Sequence, residues 1–357
     1  MSRPPAVRWR WWPAGSQGPA LSSSGVARYF VTGATGFIGA EVAKQLLSRG
    51  HQVAALVRDP AKASLLAKLG AELHAGDITA PETLRAPMQG ADGVFHIAAW
   101  YKTGHPRALE LATAVNVGGT RNVLGAMRDL GIRKGVYTST LAVNSDTHGM
   151  LVDETYRYNG PHVSVYDQTK WQAHYEVALP MIAAGLPLVI VQPGTVYGPG
   201  DTSALRGVFV SHLRRRLPVV PARTAYSWGH IEDTAHAHVE AMDKGRPGHN
   251  YFLAGPAHTL RDALRTAARL SRRPAPLLAV PPSLLKGAAA AMRVVESAVP
   301  LPPSMSSETL AVLAGVTYLG SSDKARRELG FAPRSLEEGL RHLIEYEMRQ
   351  LGLVAPG

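Results

Sequence analysis

The chain of 357 residues contains no cysteine. Disulfides and thiolate zinc sites are thereby excluded, and the composition is compatible with a reducing compartment, so a cytoplasmic location is expected. Acidic side chains are also in deficit, 27 against 38 Lys and Arg, for a formal net charge of +11. Such a charge favours nucleic acid, anionic lipid or phosphorylated ligands. The basic residues are scattered, however, and four of them (Arg3, Arg8, Arg10 and Arg28) lie in or next to the N-terminal extension. No basic stripe with interleaved aromatics crosses the body of the chain, and no nucleic-acid partner is expected. Long apolar runs are missing too: even 284–299 is interrupted by Lys286, Arg293 and Glu296, so no membrane span is read there. Residues 1–27 carry Trp9, Trp11 and Trp12 amid Arg and Pro, then a Gly/Ser/Pro run, without the apolar core of a secretory signal. They read as a disordered extension, with interfacial membrane contact through the Trp/Arg cluster as the alternative. The remaining composition, 45% hydrophobic and 18% charged, is globular and suits one large or two intimately joined domains.

What the chain does have begins at Tyr29. An apolar run, 29–31, reads as a buried strand, followed at once by Gly33, Gly36 and Gly39 and then by the helical pattern 40–47. Glycines are needed in such a turn because a Cβ forbids some of its backbone angles, and because a pyrophosphate must approach the main chain at the helix N-terminus. The spacing Gly-x-x-Gly-x-x-Gly has one residue more between its first glycines than the dehydrogenase fingerprint; a glycine-rich turn that binds nothing is the alternative. A second strand, 52–57, completes a βαβ unit. At its tip a carboxylate selects a ribose 2′-hydroxyl and an arginine accommodates a 2′-phosphate. Val57 and Arg58 stand there, with Lys62 one turn on, so NADP is favoured and NAD is the alternative, which Asp59 keeps open.

The pattern repeats with helices over 61–69 and 81–88 and strands over 72–75 and 93–97, giving a mostly parallel sheet covered on both faces. Asp77 follows the third strand and Ala98-Ala99 the fourth, at the strand ends where ligands of such sheets bind. A long helix over 109–130 carries Asn116 and the small pair Gly118-Gly119, and a strand over 134–139 ends in Thr138-Ser139-Thr140. The helical stretch 164–177 then places Tyr166 and Lys170 at i and i+4 on one face. A free tyrosine, with a pKa near ~10, is a poor acid–base group at neutral pH. An ammonium held close by is expected to lower that value, and a hydroxyl from Ser139 or Thr140 to hold a substrate oxygen against Tyr166. The Tyr-x-x-x-Lys spacing alone carries little; its weight comes from following a hydroxyl-ended strand in a chain that opens with the glycine turn.

These pieces, taken with 31–39, Val57-Arg-Asp-Pro60, Gly76-Asp-Ile78, Phe95-His-Ile-Ala-Ala99, Asn116-Val-Gly-Gly-Thr120, Tyr137-Thr-Ser-Thr140, Gln192-Pro-Gly-Thr-Val-Tyr-Gly-Pro199, Gly229-His-Ile-Glu-Asp233 and the closing 323–333, run in order along the chain. Together they resemble the extended short-chain dehydrogenase/reductases of the NAD-dependent epimerase/dehydratase family, most of all the dihydroflavonol reductase and 3β-hydroxysteroid dehydrogenase branch. The resemblance implies an α/β fold: a doubly wound parallel sheet (Rossmann fold) over 28–194 plus 231–255, and a smaller, mostly C-terminal substrate-binding lobe over 195–230 plus 256–357. It implies that Gly33, Gly36 and Gly39, with Thr35, Phe37 and Ile38 of the same turn, cradle the pyrophosphate, that Arg58 takes the 2′-phosphate, and that Asp77 and Ile78 meet the adenine. Ala98 and Ala99 would border the cofactor, and Pro193 to Val196 would lie against the nicotinamide. Thr140 matches the family's catalytic Ser/Thr more closely than Ser139; Tyr166 would be the general acid or base; Lys170 would bind the nicotinamide ribose while lowering the Tyr166 pKa. A homodimer through the long helices is a further expectation from the resemblance.

Three departures point away from nucleotide-sugar members: Val57-Arg58 instead of an acid, Tyr226 where an arginine commonly grips a diphosphate, and Trp100-Tyr101, which with Tyr226 and Trp228 suggests an aromatic, rather apolar site. Against this, Arg206, Arg214, Arg215, Arg216 and Arg223 fall in the substrate lobe and suit a diphosphate, unless they form a solvated face. His230 and Asp233 read as a structural hydrogen-bonding pair at the lobe junction, and no metal site is expected. The stretch 284–299 followed by Leu301-Pro-Pro303 reads as a buried apolar helix of the second lobe ending at a proline break, with membrane contact not expected. The reading is an NAD(P)-dependent oxidoreductase moving a hydride between nicotinamide and a ketone, aldehyde or alcohol on a moderately apolar small molecule. A nucleotide-sugar epimerase or dehydratase, and a non-catalytic dinucleotide sensor, are the alternatives.

Overall fold

The computed structural model describes residues 25–101, 108–296 and 306–353. The expected extension 1–27 lies outside the described residues as far as residue 24, as does the break at Leu301-Pro-Pro303. Strand β1 (Arg28–Thr32) leads through the glycine turn into α1 (Phe37–Ser48) and β2 (Gln52–Val57). The expected helix over 61–69 begins as a 3-10 turn, Pro60–Ala63, because Asp59 Oδ1 accepts the Ala61 N–H and proline stands first; the α-helix proper, α2, is Ser64–Lys68. Then come β3 (Glu72–Ala75), α3 (Arg85–Met88) and β4 (Gly93–His96). The expected helix over 109–130 is α4 (Ala108–Ala112) and α5 (Thr120–Asp129), joined through a π-helical stretch, Thr113–Gly119. Strand β5 (Gly135–Thr138) precedes α6 (Val165–Gln172), which a second π-helical stretch, Ala173–Ala178, carries into α7 (Leu179–Ala183) and then β6 (Leu188–Pro193).

The chain now leaves the main sheet through β7 (Thr195–Tyr197), α8 (Ala204–Leu213), β8 (Val219–Pro221) and β9 (Ala225–His230), and returns through α9 (Ile231–Asp243) and β10 (Asn250–Leu253). It leaves again through β11 (Ala257–Thr259), α10 (Leu260–Ser271), β12 (Leu278–Val280), α11 (Pro282–Glu296), α12 (Ser307–Leu313) and β13 (Thr317–Tyr318), and closes with α13 (Asp323–Leu329) and α14 (Leu336–Gln350). The last helix starts as a capping sequence predicts: Ser335 Oγ accepts the Glu338 N–H.

Seven strands form one parallel sheet in the order β10-β6-β5-β4-β1-β2-β3. After β1 the chain builds outward to one side and from β4 to the other, so β1 and β4 flank the switch point where doubly wound sheets bind ligands. Both faces are buried, which is why a strand such as 188–193 opens with four apolar residues in a row, 188–191. Val31 and Phe95 join the core under α1 and α9, while Phe30 and Val94 join the core under α5. A third core fills the second lobe, where β9 pairs with β7, β11 and β13, and α8, α10 and α14 pack around Trp228.

Two expectations for that lobe change. Helix α11 is not buried: Ala289 is its one buried residue, while Leu284 and Val294 are exposed, since the helix packs on α12 and turns its other faces to solvent. Arg206 is not free for a substrate anion, because it makes a bidentate pair with the fully buried Glu347 of α14 at 2.7 and 2.9 Å. Removing the guanidinium strands a buried carboxylate. Arg206→Met is therefore expected to cost about 2 kcal/mol, discounted because Arg206 itself is partly exposed; an unchanged urea midpoint would refute it. No helix among the described residues is long and apolar enough to cross a membrane.

Candidate active site

The glycine turn closes on itself: Gly36 N–H donates to Gly33 O at 2.8 Å, and a Cβ on Gly39 would collide with that same carbonyl. Gly33 has φ +73°, and a Cβ there would lie 2.7 Å from Ala98 N. The loops after β1 and β4 thus touch at the switch point, held also by Thr32 Oγ1, which accepts the N–H groups of Ile97 and Ala98 at 3.1 and 3.2 Å. No side chain caps α1, so its first N–H groups face the crevice as an anion site, with Thr35, Phe37 and Ile38 around them. A pyrophosphate fits this cradle.

At the tip of β2, Arg58 is exposed and joins no ion pair among the described residues, whereas Lys62 is paired with Asp59 at 3.3 Å. The second positive charge expected from Lys62 is thus partnered locally. Asp77 Oδ1 accepts from Thr79 N and Oγ1, turning the chain after β3. Ile78 is buried against Gly119, where any Cβ would strike its side chain, so of the small pair Gly119 is the one that packing requires.

Asn116 does more than the sequence indicated. Its side chain accepts the Trp100 N–H at 2.7 Å and donates to Trp100 O at 2.9 Å and to Thr169 Oγ1 at 3.0 Å. It therefore ties the loop carrying Ala98, Ala99 and Trp100 to the helix carrying Tyr166. It lies in the π-helical stretch, a common placing for functional side chains.

Tyr166 and Lys170 occupy the first and second turns of α6, and Thr140 begins the segment after β5. Ser139 points away: it is buried, with Oγ 2.9 Å from His174 Nδ1, which leaves the Thr140 hydroxyl beside Tyr166. Lys170 is almost wholly buried; Nζ donates to Tyr137 OH at 3.1 Å and Thr138 O at 2.8 Å, and burial pulls its pKa down to about 7. The expected lowering of the Tyr166 pKa by Lys170 is not found. Burial pushes the phenol up to about 12, Asp167 and Tyr101 push the same way, and the Thr140 hydroxyl alone opposes them. Pro193 ends β6, and Val196 lies in β7, which leaves the main sheet and pairs with β9.

The aromatic wall is smaller than expected. Trp228 is core, its Nε1 donating to His258 O at 3.0 Å, and Tyr226 is buried and stacked on Tyr318. Tyr101 remains half exposed, with its hydroxyl 3.4 Å from Thr202 Oγ1. Arg214, Arg215, Arg216 and Arg223 are exposed, as a solvated face requires. Asp233 is held by Arg334 at 2.7 Å, and His230 Nδ1 accepts the Glu232 N–H at the start of α9. His230, Glu232 and His342 bring potential metal-ligand atoms within 4.8 Å of one another, but Arg334 lies 2.9 Å from Glu232 and 3.1 Å from His342 Nδ1, so a guanidinium already serves that cluster.

Residues 29–254 match the model of the NAD-dependent epimerase/dehydratase family. The chain is 31% identical over 326 residues to a putative dihydroflavonol 4-reductase of Synechocystis, covering 89% of this chain and 94% of that protein. It is 32% identical over 338 residues to 4-hydroxy-2-methyl-3-oxo-4-farnesyl-3,4-dihydroquinoline-1-oxide ketoreductase of Stigmatella aurantiaca, covering 92% and 98%. Among solved structures, that of gox2253 superposes with a TM-score of 0.80 at 32% identity, covering 91% of this chain and 99% of that one. The chain is an enzyme of the NAD-dependent epimerase/dehydratase family, an extended short-chain dehydrogenase/reductase.

Proposed function

We propose that the enzyme is an NADP(H)-dependent reductase of a carbonyl group on a moderately apolar small molecule. The observation that carries this reading is the Thr140 hydroxyl beside that of Tyr166, with Lys170 one turn along α6, at the same end of the parallel strands as the glycine turn. The printed names of two relatives, a dihydroflavonol 4-reductase and a ketoreductase, support it. The uncapped start of α1 and the positions on Gly33 and Gly39 that a Cβ would fill suit a dinucleotide. When bound, the nicotinamide supplies the hydride. Thr140 holds the substrate oxygen, and Tyr166 delivers a proton to that oxygen from its hydroxyl. Lys170, fixed by Tyr137 and the Thr138 carbonyl, has its ammonium placed for the nicotinamide ribose. The Tyr101 and Thr202 hydroxyls, 3.4 Å apart, bring the loop after β4 close to the segment after β7.

Arg58 supports NADP over NAD because it is exposed at the tip of β2 and joins no ion pair among the described residues. Arg58→Ala is expected to weaken NADPH binding about tenfold or more, the scale of a charge-assisted contact, while NADH changes less than twofold. Isothermal titration with both nucleotides checks this, and equal losses would remove the preference. Mass spectrometry of nucleotide released from purified, denatured protein separates the remaining alternative. Stoichiometric NAD would mean a cofactor recycled in place, as epimerases and dehydratases use it, and would overturn the reductase reading.

A further inference from the structure

Two helices of the second lobe, α8 and α10, pack together, and both run into arginine turns. The strands that follow, β8 and β12, pair in parallel with Val219 opposite Leu278, and Leu278 N–H donates to Pro218 O at 3.3 Å. Parallel strands are entered from the same end. The turns that feed them, Arg214-Arg215-Arg216 after α8 and Arg272-Arg273 after α10, are therefore brought to one tip of the lobe. In the sequence these residues look scattered; the strand pairing gathers them. Neither stretch that builds the tip, 202–231 or 263–295, contains Asp or Glu. Arg214, Arg215 and Arg216 are exposed and join no ion pair among the described residues, whereas Arg265 and Arg269, earlier on α10, pair with Asp262 and Glu337. At the same tip Leu277 is 85% exposed, Leu278 64% and Val219 41%.

The backbone marks the same two turns. Four non-glycine residues among those described have positive φ, and two of them are Arg215, at +58°, and Arg272, at +51°. Arg272 caps α10 and Arg215 follows the cap of α8, positions where glycine is the ordinary occupant because it adopts the left-handed conformation without strain. Packing does not call for arginine at either, since both are exposed. One cation at each helix C-terminus answers the macrodipole. That accounts neither for three arginines in a row nor for leucines left in water beside them.

Exposed arginine next to exposed leucine suits a partner with anions at its surface and hydrocarbon beneath. Nucleic acid has the anions, but its bases stack on exposed aromatic rings, and Phe209, the only Phe, Tyr or Trp within 204–222 and 272–280, is buried. We propose that this tip is a docking surface for an anionic phospholipid bilayer, with Arg214, Arg215 and Arg216 meeting lipid phosphates while Leu277 and Leu278 enter the interface. The docking does not depend on the reaction proposed above.

The test is sedimentation of the full chain with vesicles of phosphatidylcholine and phosphatidylglycerol in equal parts, beside vesicles of phosphatidylcholine alone. The wild type is expected to pellet with the mixed vesicles and not with the neutral ones, and to be released as salt rises. Arg215→Gly combined with Arg216→Gln removes two charges and eases one left-handed residue. Its melting temperature should not fall, while its partition onto the mixed vesicles should drop about 25-fold, roughly fivefold per charge. Leu277→Ser keeps every charge and should lose about fivefold. Losses in both variants support the proposal. A wild type that stays in the supernatant overturns it, as does equal partition of both variants and the wild type, which would move the contact to another part of the chain. Loss confined to the arginine pair would reduce the tip to a general anion surface and overturn the bilayer reading. A DNA duplex of arbitrary sequence, bound by the wild type in place of the vesicles, would assign the tip to nucleic acid instead.

Discussion

Replacing Tyr166 by Phe is expected to lower carbonyl-reducing turnover about 10³-fold while NADPH affinity stays within twofold of the wild type. General acid–base groups contribute roughly 10²–10⁴ in rate, and here no other hydroxyl is placed to take over the transfer. The Thr140 side chain also accepts the Ala142 N–H at 3.2 Å, which commits it to the start of a 3-10 turn. Of the other phenols nearby, Tyr137 is buried in the sheet and bonded to Lys170, and the Tyr101 hydroxyl lies 3.4 Å from Thr202 Oγ1. The ring of Tyr166 is retained in the variant, and of the residues expected to hold the nucleotide only Lys170 shares its helix, where Tyr137 OH and Thr138 O keep its ammonium in place, so binding should survive. Single-turnover reduction monitored by NADPH absorbance, beside titration calorimetry, measures both quantities. Turnover near that of the wild type would remove Tyr166 from the mechanism; loss of turnover with an equal loss of nucleotide affinity would make its role structural.

Gly39→Ala is expected to break the turn between β1 and α1. The added Cβ meets the Gly33 carbonyl and the Ala34 Cα, both main-chain atoms. Neither has room to yield: the Gly33 carbonyl accepts the Gly36 N–H at 2.8 Å, and Gly33 itself rests on Ala98. Overpacking a rigid site typically costs about 1–3 kcal/mol, and backbone is the least accommodating neighbour, so about 3 kcal/mol is expected here. The relief would come from tilting α1 away from β1, which also removes its N-terminus from the switch point. Dinucleotide affinity should therefore fall more than 100-fold even in the protein that remains folded. Gly118→Ala, at a helical position where a Cβ meets only the Thr113 carbonyl at an ordinary 3.9 Å, is the control. A Gly39→Ala protein with wild-type melting temperature and nucleotide affinity would show that the turn tolerates what its geometry forbids.

The parallel half of the molecule was legible because its punctuation is local. Apolar runs bounded by glycine and proline placed β2 and β3 at the bounds the structure has, 52–57 and 72–75. Glycines between a strand and a helix located the switch point before any strand order was known. The site was less legible where it depends on partners distant in sequence. Nothing near Asn116 says that it will clamp Trp100 and Thr169, and nothing near Asp167 says that Tyr318, 151 positions on, will hold it. Arg206 looked free because Glu347 is 141 residues away. The two π-helical stretches have the periodicity of ordinary helix over so few residues and could not be read as anything else. Helix α11 misled for the opposite reason: alanine-rich sequence is apolar enough to suggest burial, yet its small side chains have little to gain from it.

The path of the chain between the two sheets has a consequence for how the protein is made. Strand β9 borders on β7, β11 and β13, so the strands of one small sheet come from four separate stretches, at 195–197, 225–230, 257–259 and 317–318. The main sheet closes only when β10 arrives, after the chain has already built β9 and come back. On a ribosome, which delivers the N-terminal portion first, β9 emerges well before its partner β13, and Asp167 waits for Tyr318 through the synthesis of most of the second lobe. The order of synthesis thus places the completion of the surroundings of α6 near the end of the chain, so a nascent protein acquires its glycine turn long before it acquires the contacts that hold the first turn of that helix.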